Sequence, residues 1–212
     1  IEQRFKIIHT SAFEEMSHHL LNIAPTIVVD KALKETFGFK SQHTAKNYLS
    51  YLKQAYMLIG LHKYSAKSRQ RITGEKVYPI DVALMNKRSD AFAGENLGWR
   101  LETIVYLELL RKYKRQGFDI YYFSDRSGEC DFVVCENRKA LLAVQVSYDI
   151  SSDKTRKREI AGLLLAARKT GCENLLLLTD HDDMDITHDE YTISVRPVFD
   201  YVLKSQHNIG IR

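Results

Sequence analysis

Cysteine is scarce, and the three present (Cys130, Cys135, Cys172) are odd in number and unclustered. Such a set builds neither a disulfide framework nor a zinc centre. No apolar run approaches the ~20 residues that a membrane-spanning helix requires. The longest, Ala161–Ala167, reads as a buried helix segment. A Gly-x-x-x-x-Gly-Lys-Ser/Thr string is also missing, so the chain holds no P-loop and no ATP hydrolysis of its own is expected. The start, Ile1-Glu-Gln-Arg-Phe-Lys6, has no initiator methionine, no basic leader and no apolar signal core. The expectation is a cut inside a longer protein, residing in the reducing cytoplasm. Internal repeats and low-complexity tracts are absent.

What is present is an ordinary globular composition, 44% hydrophobic and 27% charged over 212 residues. That length serves one large domain or two small ones. Charge is unevenly placed: residues 1–90 hold 14 Lys+Arg against 8 Asp+Glu, a balance of +6, and the remainder holds 17 against 19, a balance of −2. Any polyanion-binding surface is therefore expected in the first half, although +6 over ninety residues also suits a merely soluble surface.

Between Thr10 and Leu61 the periodicity predicts three short helices. The first, Ser11 to Asn22, gathers Phe13, Met16, Leu20 and Leu21 on one face, and Asp30 is expected to cap the second, which ends near Gly38. Ser41 caps the third, placing Ala45, Tyr48, Leu49, Leu52 and Tyr56 on one face. Two strand-like runs follow, Met57 to Tyr64 and Lys76 to Ile80. Three helices and then a hairpin make the winged-helix arrangement, a helix-turn-helix variant. A linker from about Asp81 to Gly94 leads to a long helix, Glu95 to Gln116, stopped at Gly117. Strands are predicted at Asp119–Ser124, Cys130–Cys135 and Leu141–Ser147. A helix capped by Ser151 or Ser152 runs to Thr170 and ends at Gly171. Strands at Asn174–Thr179 and Tyr191–Val195 follow, with a last helix beginning at Pro197. This order gives a mixed sheet flanked by helices. The domains expected are 1–90, the winged-helix module with its linker, and 91–212.

Two surfaces of the first domain suit nucleic acid. The polar face of the third helix presents His43, Asn47, Ser50 and Gln54 beside Lys46 and Lys53, residue types that contact phosphates and base edges. The hairpin gathers Lys63, Lys67, Arg69, Arg71 and Lys76, with Glu75 its one acid, and can reach a phosphate backbone. The bland alternatives are a solvated helix face and a solvated loop. The acidic stretch Asp180–Glu190 lacks the spacing of a calcium loop and reads as solvent-exposed loop.

In the second domain Glu102 lies at the margin of an apolar helix face and Asp131 follows Gly128-Glu-Cys130. Gln145 and Ser147 share one side of the next strand because side chains alternate. The order helix-Glu, Gly-x-x-Asp on a strand, then an acid-x-Lys position on the next resembles the PD-(D/E)XK nuclease superfamily. The longer strings Leu101-Glu-Thr-Ile-Val-Tyr-Leu-Glu-Leu-Leu-Arg111, Gly128-Glu-Cys-Asp-Phe-Val133 and Val144-Gln-Val-Ser-Tyr-Asp149 resemble something narrower. That is the C-terminal region of unknown function in prokaryotic AAA-type (archaeal-type) ATPases. Thr44–Tyr56 and Lys76-Val-Tyr-Pro-Ile-Asp81 resemble the part joining the ATPase to that region.

The resemblance implies an α+β or α/β fold: an N-terminal winged helix-turn-helix plus a C-terminal PD-(D/E)XK, restriction-endonuclease-like mixed sheet. It implies that Glu102, Asp131 and Gln145 hold Mg²⁺ or Mn²⁺, and that ATP enters only through the absent ATPase domain. Gln145 stands at the second acid position and Ser147 at the usual lysine. The amide weakens a hard-cation site by one charge. The serine removes the cation that would stabilise transition-state charge, a loss on the order of 10²–10³ in rate. Lys154 or Lys157 of the next helix could compensate. The alternative for these positions is structural: Glu102 pairing with an arginine, Asp131 capping a turn, Gln145 satisfying buried backbone groups. The expected function is a DNA-associated regulatory or targeting region of an AAA-type ATPase with a degenerate nuclease fold. The alternatives are a Mg²⁺/Mn²⁺-dependent DNA endonuclease and a protein-interaction module docking to the ATPase domain.

Overall fold

The computed structural model describes residues 1–65, 74–87 and 97–204. The chain divides into two compact units, Ile1–Gly94 and Glu95–Arg212.

The first unit runs α1 (Glu2–Phe5), α2 (Thr10–Ile23), β1 (Thr26–Val28), α3 (Asp30–Thr36), α4 (Gln42–Gln54), β2 (Leu58–Leu61), β3 (Glu75–Pro79) and a 3-10 turn, Val82–Lys87. Its three strands pair antiparallel in the order β1-β3-β2. The apolar faces read from the sequence supply the core: Phe13, Met16, Leu20 and Leu21 of α2 meet Ala45, Tyr48, Leu49 and Leu52 of α4. Ser41 caps α4 as expected, its Oγ accepting from the Thr44 amide at 3.1 Å. Asp30 does not cap α3. It is the first residue of that helix, and Val29 takes the cap position without a side-chain bond. Tyr56 is a second departure: α4 stops at Gln54, so Tyr56 leaves the apolar face and is 74% exposed. The hairpin-tip residues Lys67, Arg69 and Arg71 lie outside the described residues, as does Glu95.

The second unit runs α5 (Leu97–Tyr113), β4 (Asp119–Ser124), β5 (Glu129–Glu136), β6 (Lys139–Val146), α6 (Asp153–Thr170), β7 (Leu175–Thr179), β8 (Met184–His188), β9 (Tyr191–Pro197) and α7 (Val198–Lys204). The sheet order is β4-β5-β6-β7-β9-β8. β4, β5 and β6 form an antiparallel meander, β6-β7 and β7-β9 are parallel, and β8 returns antiparallel on β9. A parallel pair needs a long crossover, which α6 supplies between β6 and β7. Gly117 (φ 88°) and Gly171 (φ 71°) end their helices in the left-handed conformation that glycine takes without steric penalty. The stretch read as an acidic loop contains β8. Ser152 precedes α6 without a side-chain cap, and Pro197 closes β9 rather than opening α7.

This is a mixed α+β architecture, with helices packed on a six-stranded sheet. Tyr106 of α5 stacks on Phe132 of β5 with ring centroids 5.7 Å apart. α6 lays Gly162 on the start of β5, where a Cβ would collide with the Glu129 carbonyl oxygen. No helix among the described residues is long and apolar enough to cross a membrane.

Candidate functional site

β5 and β6 run antiparallel, so the start of one lies beside the end of the other. Asp131 enters near the start of β5, Gln145 near the end of β6, and Ser147 just beyond it. α5 brings Glu102, and all four line one cavity of about 490 Å³. The sequence pattern thus converges in space although its members are far apart in the chain. Trp99, Glu129, Arg158 and Glu159 line the same cavity.

The hydrogen bonds define the state of this site. Gln145 Oε1 accepts from the Asp131 amide at 3.2 Å, and Gln145 Nε2 donates to Glu159 Oε2 at 2.7 Å. A backbone donor on one side and a carboxylate on the other fix the amide orientation, because a flipped amide would face each partner with the wrong group. Asp131 Oδ2 accepts from the Val146 amide at 2.9 Å, tying β5 to β6 a second time. Arg158 grips the far oxygen of Glu159 through Nε and the terminal guanidinium nitrogen. The result is a polar chain, Arg158–Glu159–Gln145–Asp131 backbone, crossing from α6 through β6 to β5. Its inner links are shielded, with Gln145 5% and Glu159 4% exposed. The Glu159 carboxylate raises the Arg158 pKa, first by hydrogen bonding and then by charge, against partial burial.

Ser147 does not stand in for a cation. Its Oγ donates to the Asp149 carbonyl oxygen at 3.1 Å, and the Ser151 amide and hydroxyl hold the Asp149 carboxyl below its ordinary value. Lys154 and Lys157, the expected substitutes, are exposed and do not line the cavity; the cation at its edge is Arg158.

A divalent ion would ask three hard donors to turn toward one point. Among the described residues no group of three His, Cys, Asp or Glu side chains is placed to hold a metal. Gln145, the third member of the expected set with Glu102 and Asp131, has its oxygen turned to the Asp131 amide. The donor set as folded does not fit Mg²⁺ or Mn²⁺. Next door, burial pushes the Cys130 thiol well above its usual value and the Asp131 charge pushes it further, so the thiol is no nucleophile.

Sequence reasoning missed Glu159 and Arg158. Glu159 falls on the helical face of Leu163 and Ala166, and an acid inside an apolar stripe was the available signal.

In the first unit, His43 and Lys46 of α4 are exposed, Asn47 and Lys63 half-buried. Lys53 is engaged by Glu75, Nζ to Oε2 at 2.7 Å. Lys76 is buried, its Nζ 5.8 Å from the Tyr78 ring centroid, so it does not join an exposed basic surface.

Residues 97–198 match the model of a domain of unknown function, DUF4143. That match takes in α5, β5, β6 and α6, hence every residue of the cavity. Residues 1–95 match a second domain of unknown function, DUF8612. An uncharacterised protein of Methanocaldococcus jannaschii, MJ1544, is 28% identical over 213 residues, covering 96% of this chain and 47% of the relative. An uncharacterised protein of Haemophilus influenzae is 32% identical over 113 residues, covering 52% of this chain and 26% of the relative. The chain therefore spans less than half the length of each of these relatives. No solved structure matches.

Proposed function

We propose that this chain is a DNA-associated targeting or regulatory region of an AAA-type ATPase, in which a winged-helix unit binds DNA and a PD-(D/E)XK-like unit has lost its nuclease centre. The winged-helix reading is supported by the connectivity α2-β1-α3-α4-β2-β3 and the sheet order β1-β3-β2. The exposed His43 and Lys46 on α4 agree with it. The nuclease-like reading is supported by the meander β4-β5-β6, the α6 crossover, and the meeting of Glu102, Asp131, Gln145 and Ser147 in one cavity.

One observation carries the loss of catalysis. Both ends of the Gln145 amide are used inside the protein, and Ser147 bonds the backbone, so the second acid and the cation are both replaced by structural groups. A phosphodiester hydrolase of this layout would need the ion to polarise phosphate and activate water. The test is a DNA cleavage assay with Mn²⁺ beside a binding titration. We expect salt-sensitive DNA binding and no cleavage by wild type or Asp131→Ala. Mn²⁺-dependent cleavage abolished by Asp131→Ala would instead overturn this reading in favour of a divalent-ion endonuclease.

A further inference from the structure

A depression beside α4 joins part of the polar helix face, Ser50, Lys53 and Gln54, to two residues from outside it, Arg4 and Tyr56. Arg4, Ser50, Lys53, Gln54 and Tyr56 line about 520 Å³ on the first unit. Its most unusual member is Tyr56. The Tyr56 amide bonds the Lys53 carbonyl at 3.0 Å and the Met57 amide bonds the Leu52 carbonyl at 2.9 Å, closing α4 in a Schellman-like end. Tyr56 takes the left-handed position there, at φ 56°. Glycine adopts that conformation freely and a tyrosine does not. Burial does not repay the strain, because the residue is 74% exposed. A large aromatic kept in an unfavourable backbone conformation and presented to solvent has its benefit in what it touches.

Arg4 of α1 also lines this open depression. Phe5 stacks on Tyr51 of α4, centroids 4.5 Å apart and planes 9° from parallel, and the Arg4 guanidinium carbon lies 5.0 Å from the Phe5 ring centroid. Two polar side chains complete the lining, Gln54 Nε2 donating to Ser50 Oγ at 3.0 Å. Lys53 turns to Glu75, which leaves Arg4 as the cation of the cup.

An aromatic face, a guanidinium and an amide-hydroxyl pair in one cup are the groups that take a nucleotide: stacking for the base, charge for the phosphate, hydrogen bonds for the base edge. Bases inside a duplex have both faces covered by their neighbours. We infer that this cup holds an unpaired base of single-stranded DNA, stacked on Tyr56 with its phosphate on Arg4. The inference rests on the reading that the first unit binds DNA, and specifies which form of DNA it grips beside α4.

The test uses the full chain and fluorescence anisotropy at low salt, comparing an oligothymidine with a blunt duplex. Tyr56→Gly removes the ring and suits the left-handed backbone, so its melting temperature should equal or exceed that of wild type. We expect it to weaken oligothymidine binding about tenfold or more, with Tyr56→Trp close to wild type and duplex affinity unchanged in both. Arg4→Ala should weaken oligothymidine binding and reduce the salt slope by about one. If Tyr56→Gly binds oligothymidine as wild type does while duplex binding stays salt-sensitive, the base site is overturned and the DNA reading stands. If wild type binds neither DNA, both fall.

Discussion

Gly162 sits where α6 comes down on the sheet, and there a methyl group would collide with the backbone carbonyl of Glu129. Alanine is the better helix former by up to ~1 kcal/mol. A backbone oxygen cannot swing aside as a side chain can, so overpacking, ~1–3 kcal/mol, decides the sign. We expect Gly162→Ala to destabilise by about 1–2 kcal/mol in urea unfolding. An unchanged or raised midpoint would mean that α6 shifts freely on the sheet. Gln145→Glu tests the polar chain on which Gly162 borders. It keeps the volume but replaces the amide donor to Glu159 with a carboxylate, leaving two acids in contact. We expect a loss of roughly 2–4 kcal/mol. Mn²⁺ should recover part of the melting temperature of the variant, whose second carboxylate now faces Asp131, and leave wild type unmoved. An equal Mn²⁺ shift in wild type would show that the amide set binds metal after all. The cysteines provide a check on packing. Burial raises all three thiols, Cys135 to about 12. At pH 8 its thiolate fraction is then ~10⁻⁴, against about a quarter for a free cysteine. Ellman's reagent should leave the native protein unlabelled and find three thiols in guanidinium. Fast labelling of a native thiol would place it at the surface.

Among the elements, the link between α4 and β3 governs how much of the helix charge is available to a ligand. Glu75 of β3 reaches over Gly60 of β2 to Lys53 of α4, and a Cβ at Gly60 would strike the Glu75 side chain. The pair is partly exposed, worth about 0.5–1 kcal/mol. Glu75→Gln should cost no more than that in stability while releasing the Lys53 charge. We expect tighter DNA binding and a salt slope steeper by about one. Unchanged affinity would remove Lys53 from the contact surface. What the sequence revealed about these elements follows how local each signal is. Ser41 caps α4 through a residue three positions on, so the motif carries its own partner. The faces of α2 and α4 and the glycine stops at 117 and 171 are equally local. β1 is three residues long and β8 is a polar edge strand with little burial, so neither has a periodicity to read. Tyr56 continues the helical spacing of α4 and is lost to it only because the chain turns left-handed at that residue. The cavity was half legible. Two adjacent strands bring Asp131 and Gln145 together, while Glu159 joins through a contact of α6 with β6 that no spacing encodes.

Across the whole molecule the charge is partitioned, and the partition bears on where a polyanion can settle. Residues 1–90 carry +6 and the remainder −2. The cavity of the second unit places Glu102, Glu129, Asp131 and Glu159 against the cation Arg158. Without a resident divalent ion such a pocket repels phosphate. Binding should therefore depend on the first unit's Arg4, Lys46 and Lys63 together with the basic hairpin residues, and not on the second unit's carboxylates. Contact with roughly three to five phosphates gives a slope of log affinity against log salt of about −3 to −5. Between 50 and 200 mM salt that is on the order of a hundredfold loss or more. We expect Asp131→Ala to leave both affinity and slope as in wild type, and Mn²⁺ at constant ionic strength to add nothing. Lys46→Ala should weaken binding and flatten the slope by about one. If instead Asp131→Ala tightened binding severalfold, removing one negative charge would have mattered to the DNA. The second unit's cavity would then lie on the DNA path, and the division of labour between the units would have to be redrawn.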